Sequence, residues 1–158
     1  MNSNHFKVEI ENKIAQVFFN RPEKANALHM EAWIEMQTVF ETLSKDDDVR
    51  VIILAGEGKH FCAGIDLELL MSISRLKDIS CHGKRSEKVR EIIVTLQQTV
   101  TVIEECSKPV LAAIHNGCIG GGVDIATACD MRYCSEEAYF TIKEIDLGMV
   151  ADLGTLQR

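Results

Sequence analysis

Val51–Leu54 and Val110–Ile114 are short, unbroken apolar runs, each delivered into a glycine-bearing turn: AGEG at Ala55–Gly58 and HNGCIGGG at His115–Gly122. Runs this short do not make a helix, and without polar alternation they fit strands buried on both faces. Such strands need cover, and helix-period segments supply it. Met30–Leu43 places Trp33, Met36, Phe40 and Leu43 at three-and-four spacing, and Val89, Ile92, Leu96, Val100 and Ile103 mark a longer amphipathic helix that ends before Pro109. Strands alternating with helices make α/β the expected fold class.

The remaining pattern agrees with that class. Phe6–Ile10 and Ile14–Phe19 read as a hairpin about the polar turn Glu11–Lys13, with Ala15, Val17 and Phe19 on one face. Pro22 closes the second strand, and Asp46–Asp48 ends the first helix. A short helix is expected near Asp66–Met71, another through Val123–Ala128, and short strands around Met131–Cys134 and Tyr139–Thr141. Ser72–Arg85, polar and basic with Gly83, reads as irregular. With 46% apolar and 26% charged residues, no repeat and no linker, the 158 residues are expected to form one domain, 1–158.

A net charge of −7 and a pI near 5.2 argue against a general nucleic-acid or anionic-membrane binder, since both surfaces require a basic excess. No apolar run approaches the roughly 18–20 residues of a membrane span, and the polar start MNSNHFKVEIEN has no signal-peptide core. A cytosolic location is the expectation, or a mitochondrial or peroxisomal one if a targeting signal lies outside this chain. The six cysteines, Cys62, Cys81, Cys106, Cys118, Cys129 and Cys134, form no CxxC and no zinc-type pairing with histidine, so they read as reduced thiols.

Gly117, Gly120, Gly121 and Gly122 lie between a buried strand and a helix, where backbone N–H groups point outward unpaired. A phosphate-binding P-loop would need Gly-Lys-Ser/Thr, but Gly122 is followed by Val123 and Asp124; a Rossmann turn would need G-x-G-x-x-G, and the spacing here is G-x-x-G-G-G. Two readings remain: a helix-start site for an oxyanion, or a tight turn with close helix packing. The glycines alone do not separate them.

A second turn does. HFCAGIDL at His60–Leu67 also follows a buried strand, and with RPEKANAL at Arg21–Leu28 and NGCIGGG at Asn116–Gly122 it resembles, in order and spacing, the crotonase, or enoyl-CoA hydratase/isomerase, family. The resemblance covers nearly the whole chain. It implies a crotonase-like ββα spiral with further ββα turns and C-terminal helices beyond Arg158, and a homo-oligomer, a trimer or dimer of trimers. It implies an acyl-CoA thioester as partner, no metal and no separate cofactor. The thioester oxygen would be held by the backbone N–H groups of Ala63 and Gly121. Arg21, Lys24, Ala25, Ala27, Ile65 and Asp66 would lie near the coenzyme A moiety, with Arg21 or Lys24 on its phosphates. For Asp66, capping a helix over Leu67–Met71 is an equal alternative.

Hydratases of that family carry two glutamates, at positions that hold Asp124 and Glu144 here. Shortening the first to aspartate departs from the water-adding pattern. Asp152, eight residues after Glu144 in an otherwise apolar segment, completes an acid set that resembles the dienoyl-CoA isomerase branch, as do the words CIGGGVD, ACDMRYC and ADLGTLQR. The resemblance implies conversion of a 3,5-dienoyl-CoA to the 2,4-dienoyl-CoA during fatty-acid β-oxidation, by proton removal at C2 and addition at C6. Glu144 and Asp152 would move the protons, in roles the sequence leaves open, and Asp124 would support them. The alternatives are an enoyl-CoA hydratase, a Δ3,Δ2-enoyl-CoA isomerase, or a non-catalytic acyl-CoA-binding protein of the same fold. His115 reads as structural, Asp130 as ending a helix beside Arg132, and Asp146 as a turn residue. No GxSxG nucleophile turn is present.

Overall fold

The computed structural model describes residues 4–158; the first three residues of the polar start lie outside it. Strand β1 (Phe6–Glu11) pairs antiparallel with β2 (Ile14–Phe19), Phe6 facing Phe19 and Glu11 facing Ile14. The two residues between them, Asn12 and Lys13, have φ of 51° and 66°, the left-handed pair that a tight hairpin turn requires. From β2 onward the pairing is parallel: β3 (Val51–Gly56) on β2, β4 (Val110–Ile114) on β3, and the strand Met131–Cys134 on β4. A three-residue strand, β5 (Gly117–Ile119), leaves the main sheet. With Met131–Cys134 numbered β6, β5 pairs with β7 (Tyr139–Thr141) in a separate ladder.

The crossover connections are helices, as parallel pairing demands: α1 (Met30–Lys45) between β2 and β3, and α2 (Leu67–Ser74) and α3 (His82–Glu104) between β3 and β4. A short helix, α4 (Gly121–Ala128), joins β5 to β6. The predicted stripe of α1 is buried: Trp33, Met36, Phe40 and Leu43 pack with Ala15, Val17, Phe19, Ile52 and Leu54. Trp33 keeps its one polar atom satisfied by donating from Nε1 to the Leu28 carbonyl, 3.1 Å away. Among the described residues no helix is long and apolar enough to cross a membrane.

Three expectations need correction. The apolar runs are not buried equally on both faces: Ile52 and Leu54 of β3 are buried, whereas Val51 and Ile53 are half-buried, and β4 alternates in the same way. The described helices seal only one side of these strands. Ser72–Arg85 is mostly helical, passing from α2 through a 3₁₀ turn at Arg75–Asp78 into α3 at His82. Its early turns carry no apolar stripe because they bury nothing; the first buried residue of α3 is Leu96. Gly83 meets no neighbour there, so its cost is the modest one of glycine in an exposed helix, about 1 kcal/mol. Finally, α4 starts at Gly121, two residues before the apolar pattern predicts.

Candidate active site

The glycine-rich turn is built for close approach. Gly120, at φ 53°, caps α4, and a Cβ added there would meet Oε1 of Glu144 at 3.2 Å. Gly121 is the first residue of α4, so its N–H has no carbonyl one turn earlier to bind. Opposite it runs the segment Phe61–Asp66. Gly64 there has φ 76°, and a Cβ on it would lie 2.6 Å from the Gly121 nitrogen and 2.7 Å from the Ile119 oxygen. Only a bare Cα lets the two turns meet.

That geometry corrects one of the two expected oxyanion donors. The N–H of Ala63 is already bound, donating to the Ala25 carbonyl at 2.9 Å. Leu28 N–H donates to Gly64 O at 2.8 Å and Asp66 N–H to Leu28 O at 2.9 Å, so residues 25–28 and 63–66 form a short parallel ladder. Ala63 and Asp66 spend their N–H groups in these contacts, whereas the N–H of Ile65 between them has no acceptor among the described residues. Ile65 and Gly121 line the same cavity of ≈ 160 Å³, walled by Leu70 and Ile73 from α2 and by Ile92, Ile93 and Leu96 from α3. Two unused amides at one end of an apolar cavity are suited to a carbonyl oxygen that gains negative charge.

The residues expected beside coenzyme A divide. Arg21 is occupied: its guanidinium donates to the Asp66 carboxylate and to the Ala27 carbonyl (3.0 Å), while its backbone N–H donates to Asn26 Oδ1 at 3.0 Å. It organises the loop and is not a free phosphate partner. Asp66 caps α2, accepting from the Glu68 N–H at 2.8 Å. Burial would raise the Asp66 pKa, but the Arg21 guanidinium and the Glu68 N–H outweigh it and hold the carboxyl below its ordinary value. Asn26, buried and at φ 58°, stitches the loop to the next turn by donating to the carbonyls of Glu57 (2.9 Å), His60 (2.8 Å) and Phe61 (3.2 Å). Lys24 is exposed, its side chain making no hydrogen bond among the described residues, and Ala25 and Ala27 lie in the segment that pairs with residues 63–66. Arg21→Met is expected to lower stability by roughly 1–3 kcal/mol, because Asp66 would lose its partner in a largely enclosed site; chemical denaturation at neutral pH measures it.

The three acids come from three elements. Glu144 sits in a 3₁₀ turn, Lys143–Leu147, and Asp152 follows in the segment after it; both line the cavity that Ile65 and Gly121 line. Asp124 is in the first turn of α4, three residues after Gly121 and hence on the same helix side, and is only 1% exposed. Its Oδ1 accepts from both the backbone N–H (2.9 Å) and the hydroxyl of Thr155. Oδ2 of Asp124 and Oε2 of Glu144 are buried with no partner among the described residues. Glu144 is raised above the usual carboxylate range, first by burial and then by the negative charges of Asp124 and Asp152. Asp152 is raised too, by the apolar cavity wall and by Asp124, although its outer edge is exposed. Gln97 Nε2 donates to the Asp152 carbonyl at 2.7 Å, and Ala151 and Leu153 on either side are buried, which fixes this acid at the cavity rim.

Other residues are structural. His115 Nε2 lies 3.0 Å from the Gly58 carbonyl. Asp130 accepts from the Val110 N–H at 2.7 Å, Asp146 pairs with Lys143 at 2.6 Å, and Arg132 donates to carbonyls at the end of α4. The cysteines are unpaired, and burial pushes the Cys62 and Cys129 thiols up to about 12.

Comparison with known proteins bears on the family and the fold. The sequence pattern of the enoyl-CoA hydratase/isomerase family matches residues 9–158. A peroxisomal Delta(3,5)-Delta(2,4)-dienoyl-CoA isomerase of Arabidopsis thaliana is 52% identical over 94% of this chain and 54% of its own length. A mitochondrial protein of the same name from Mus musculus is 48% identical over 92% of this chain and 44% of its own. The chain thus spans about half the length of the curated relatives it matches. Among solved structures, an enoyl-CoA hydratase from Mycobacterium smegmatis superposes with a TM-score of 0.76 at 28% identity, covering 88% of this chain and 49% of that one. One from Shewanella pealeana, at 21% identity, shares the fold with a TM-score of 0.85 over 95% of this chain and 54% of its own. With the fold, the facing glycine turns and the sequence pattern in agreement, the chain belongs to the enoyl-CoA hydratase/isomerase family.

Proposed function

We propose that this chain carries the catalytic core of a dienoyl-CoA isomerase, which converts a 3,5-dienoyl-CoA thioester to the conjugated 2,4-dienoyl-CoA. The observation that carries the reading is the grouping of Glu144 and Asp152 on one apolar cavity headed by two unused amides, with Asp124 enclosed beside them. The names of the most similar relatives support it. In this reading the thioester oxygen lies between the N–H groups of Ile65 and Gly121. One carboxylate removes the C2 proton, the electrons delocalise into a dienolate, and a second carboxyl group delivers a proton at C6. The atoms balance without water, metal or redox partner, because the product is an isomer of the substrate. Two carboxyl groups lining one cavity suit a charge spread over several carbons. Lys24 is the cation left for the phosphates of coenzyme A. A peroxisomal or mitochondrial location, as named for the relatives, and a homo-oligomeric assembly belong to the same proposal.

Ultraviolet spectroscopy tests it directly: a 3,5-dienoyl-CoA should convert to the conjugated product with no uptake of solvent oxygen. Hydration of crotonyl-CoA without diene turnover would overturn the reading in favour of a hydratase, and acyl-CoA binding without either reaction in favour of a binding protein. Asp152→Asn should reduce diene turnover by about 10²–10³-fold, the scale of one positioned proton-transfer group, with KM nearly unchanged. Unreduced turnover in that variant would remove Asp152 from the mechanism.

A further inference from the structure

The cavity of the candidate site adjoins a cationic groove. Its wall on α3 is Val89, Ile92, Ile93 and Leu96. Asp152 stands at the Leu96 end of that wall, because Gln97, the next residue, donates to the Asp152 carbonyl. Val89 lies about 10 Å from Leu96 along the helix and marks the end remote from Asp152. Val89 and Ile93 also line the neighbouring groove, whose other residues are Arg85, Ser86 and Arg90. One turn apart on α3, the two apolar residues thus stand between the cavity and two guanidinium groups.

We propose that Arg85 and Arg90 bind a carboxylate at the far end of the acyl chain, so that the site takes ω-carboxyacyl thioesters, dicarboxylic acids joined to coenzyme A at one end. The inference names a substrate class for the proposed acyl-CoA site and rests on that reading. With the thioester oxygen at Ile65 and Gly121 and the reacting carbons at the acids, the rest of the chain has the apolar wall toward Val89 to follow. Past Val89 and Ile93 it meets the groove. Arg90 is exposed and makes no hydrogen bond or ion pair among the described residues, and half-buried Arg85 spends one N–H on the Lys77 carbonyl at 3.4 Å. No acid lines the groove, Glu87 and Glu91 included. Residues 75–90 carry six lysines and arginines against Asp78 and Glu87, so a chain of net charge −7 draws an anion to this place in particular. Guanidinium groups suit a carboxylate because two parallel N–H groups match its two oxygens. A methyl-ended chain gains nothing from them. In the proposed reading the phosphates of coenzyme A fall to Lys24, which leaves these groups for the other end of the substrate.

Isothermal titration of the full chain tests this with saturated thioesters, which bind without reacting. The probes are methyl-ended and ω-carboxyl acyl-CoA pairs of increasing chain length, and free coenzyme A. Short pairs should bind alike. Once the chain is long enough to pass Val89, the ω-carboxyl member should bind about five- to tenfold tighter, and the preference should shrink as salt is raised. Arg85→Gln and Arg90→Gln should each reduce that preference and leave methyl-ended thioesters and free coenzyme A unaffected. Arg90 is exposed, so its variant carries the test alone if Arg85→Gln does not fold. Equal affinity within every pair overturns the proposal. Equal losses for all three probes in the variants also overturn it, because they would assign the two arginines to the phosphates of coenzyme A. Binding of methyl-ended thioesters without any preference sinks this inference alone, whereas binding of no thioester sinks the acyl-CoA reading and this inference with it.

Discussion

Glu144→Gln is expected to lower diene isomerisation by about 10³-fold while raising the thermal stability of the protein at neutral pH. The loss follows from removing a proton carrier whose cavity position glutamine keeps but whose ionisation it lacks. The gain follows from linkage. Glu144 is raised above its ordinary value of 4.5 in the fold, first by burial and then by Asp124 and Asp152. Between the unfolded and folded pKa values the native state holds the extra proton, so stability falls as pH rises through that window. The wild type is unpenalised below about 4.5, and the penalty is complete once the pH exceeds the raised folded value. Glutamine carries no such penalty. Thermal melts of the two proteins should therefore diverge as pH increases and converge in acid. Parallel melting curves at all pH values would show that Glu144 ionises as freely in the fold as out of it. A gain in stability with a loss of turnover is the signature of a site whose function strains the fold.

Gly64→Ala is expected to damage both stability and activity. At φ 76° an alanine is strained whatever the space, and its Cβ would meet backbone atoms, the Gly121 nitrogen at 2.6 Å and the Ile119 oxygen at 2.7 Å. Backbone cannot yield as a flexible side chain can. A cost of roughly 2–4 kcal/mol combines conformational strain with the forced separation of the two turns. The separation acts directly on the proposed oxyanion pair, because Gly64 adjoins Ile65 and packs on Gly121. Losing one such donor typically reduces kcat by about 10²–10³-fold. Denaturant titration and steady-state kinetics on a diene thioester measure the two effects. Gly83→Ala is the control: nothing lies within 4 Å of its added Cβ, and helix propensity predicts about 1 kcal/mol of gain. Wild-type activity in Gly64→Ala would separate the close contact of the turns from function.

Comparison of the elements shows what sequence can carry. The hairpin of β1 and β2, the buried stripe of α1 and the two apolar runs of β3 and β4 were legible because each pattern is local and repeats with the period of its element. β5 was not. Gly117–Ile119 carries no alternation, and its partner Tyr139–Thr141 lies some twenty residues on, so only the fold makes it a strand. The first turns of α3 were missed for the opposite reason: an exposed helix segment has no apolar face to reveal it. For the candidate site, the sequence offered Asp124, Glu144 and Asp152 as residue types at family spacing, but not their surroundings. The role of Arg21 changed most, from a candidate phosphate partner to the ion-pair partner of Asp66.

The turn around Gly121 shows the division most clearly. Sequence alone determined that a strand, a glycine run and an acid follow one another between Ile114 and Asp124, because those are properties of neighbouring residues. It could not determine which amide in FCAGIDL is unused. That depends on a carbonyl at Ala25, nearly forty residues away, which takes the Ala63 N–H and leaves that of Ile65. Nor could it show that Thr155 holds Asp124, since a threonine in an apolar segment carries no signal of its partner. Hydrogen-bond satisfaction and charge coupling are properties of pairs brought together by folding, and the tertiary structure decided both.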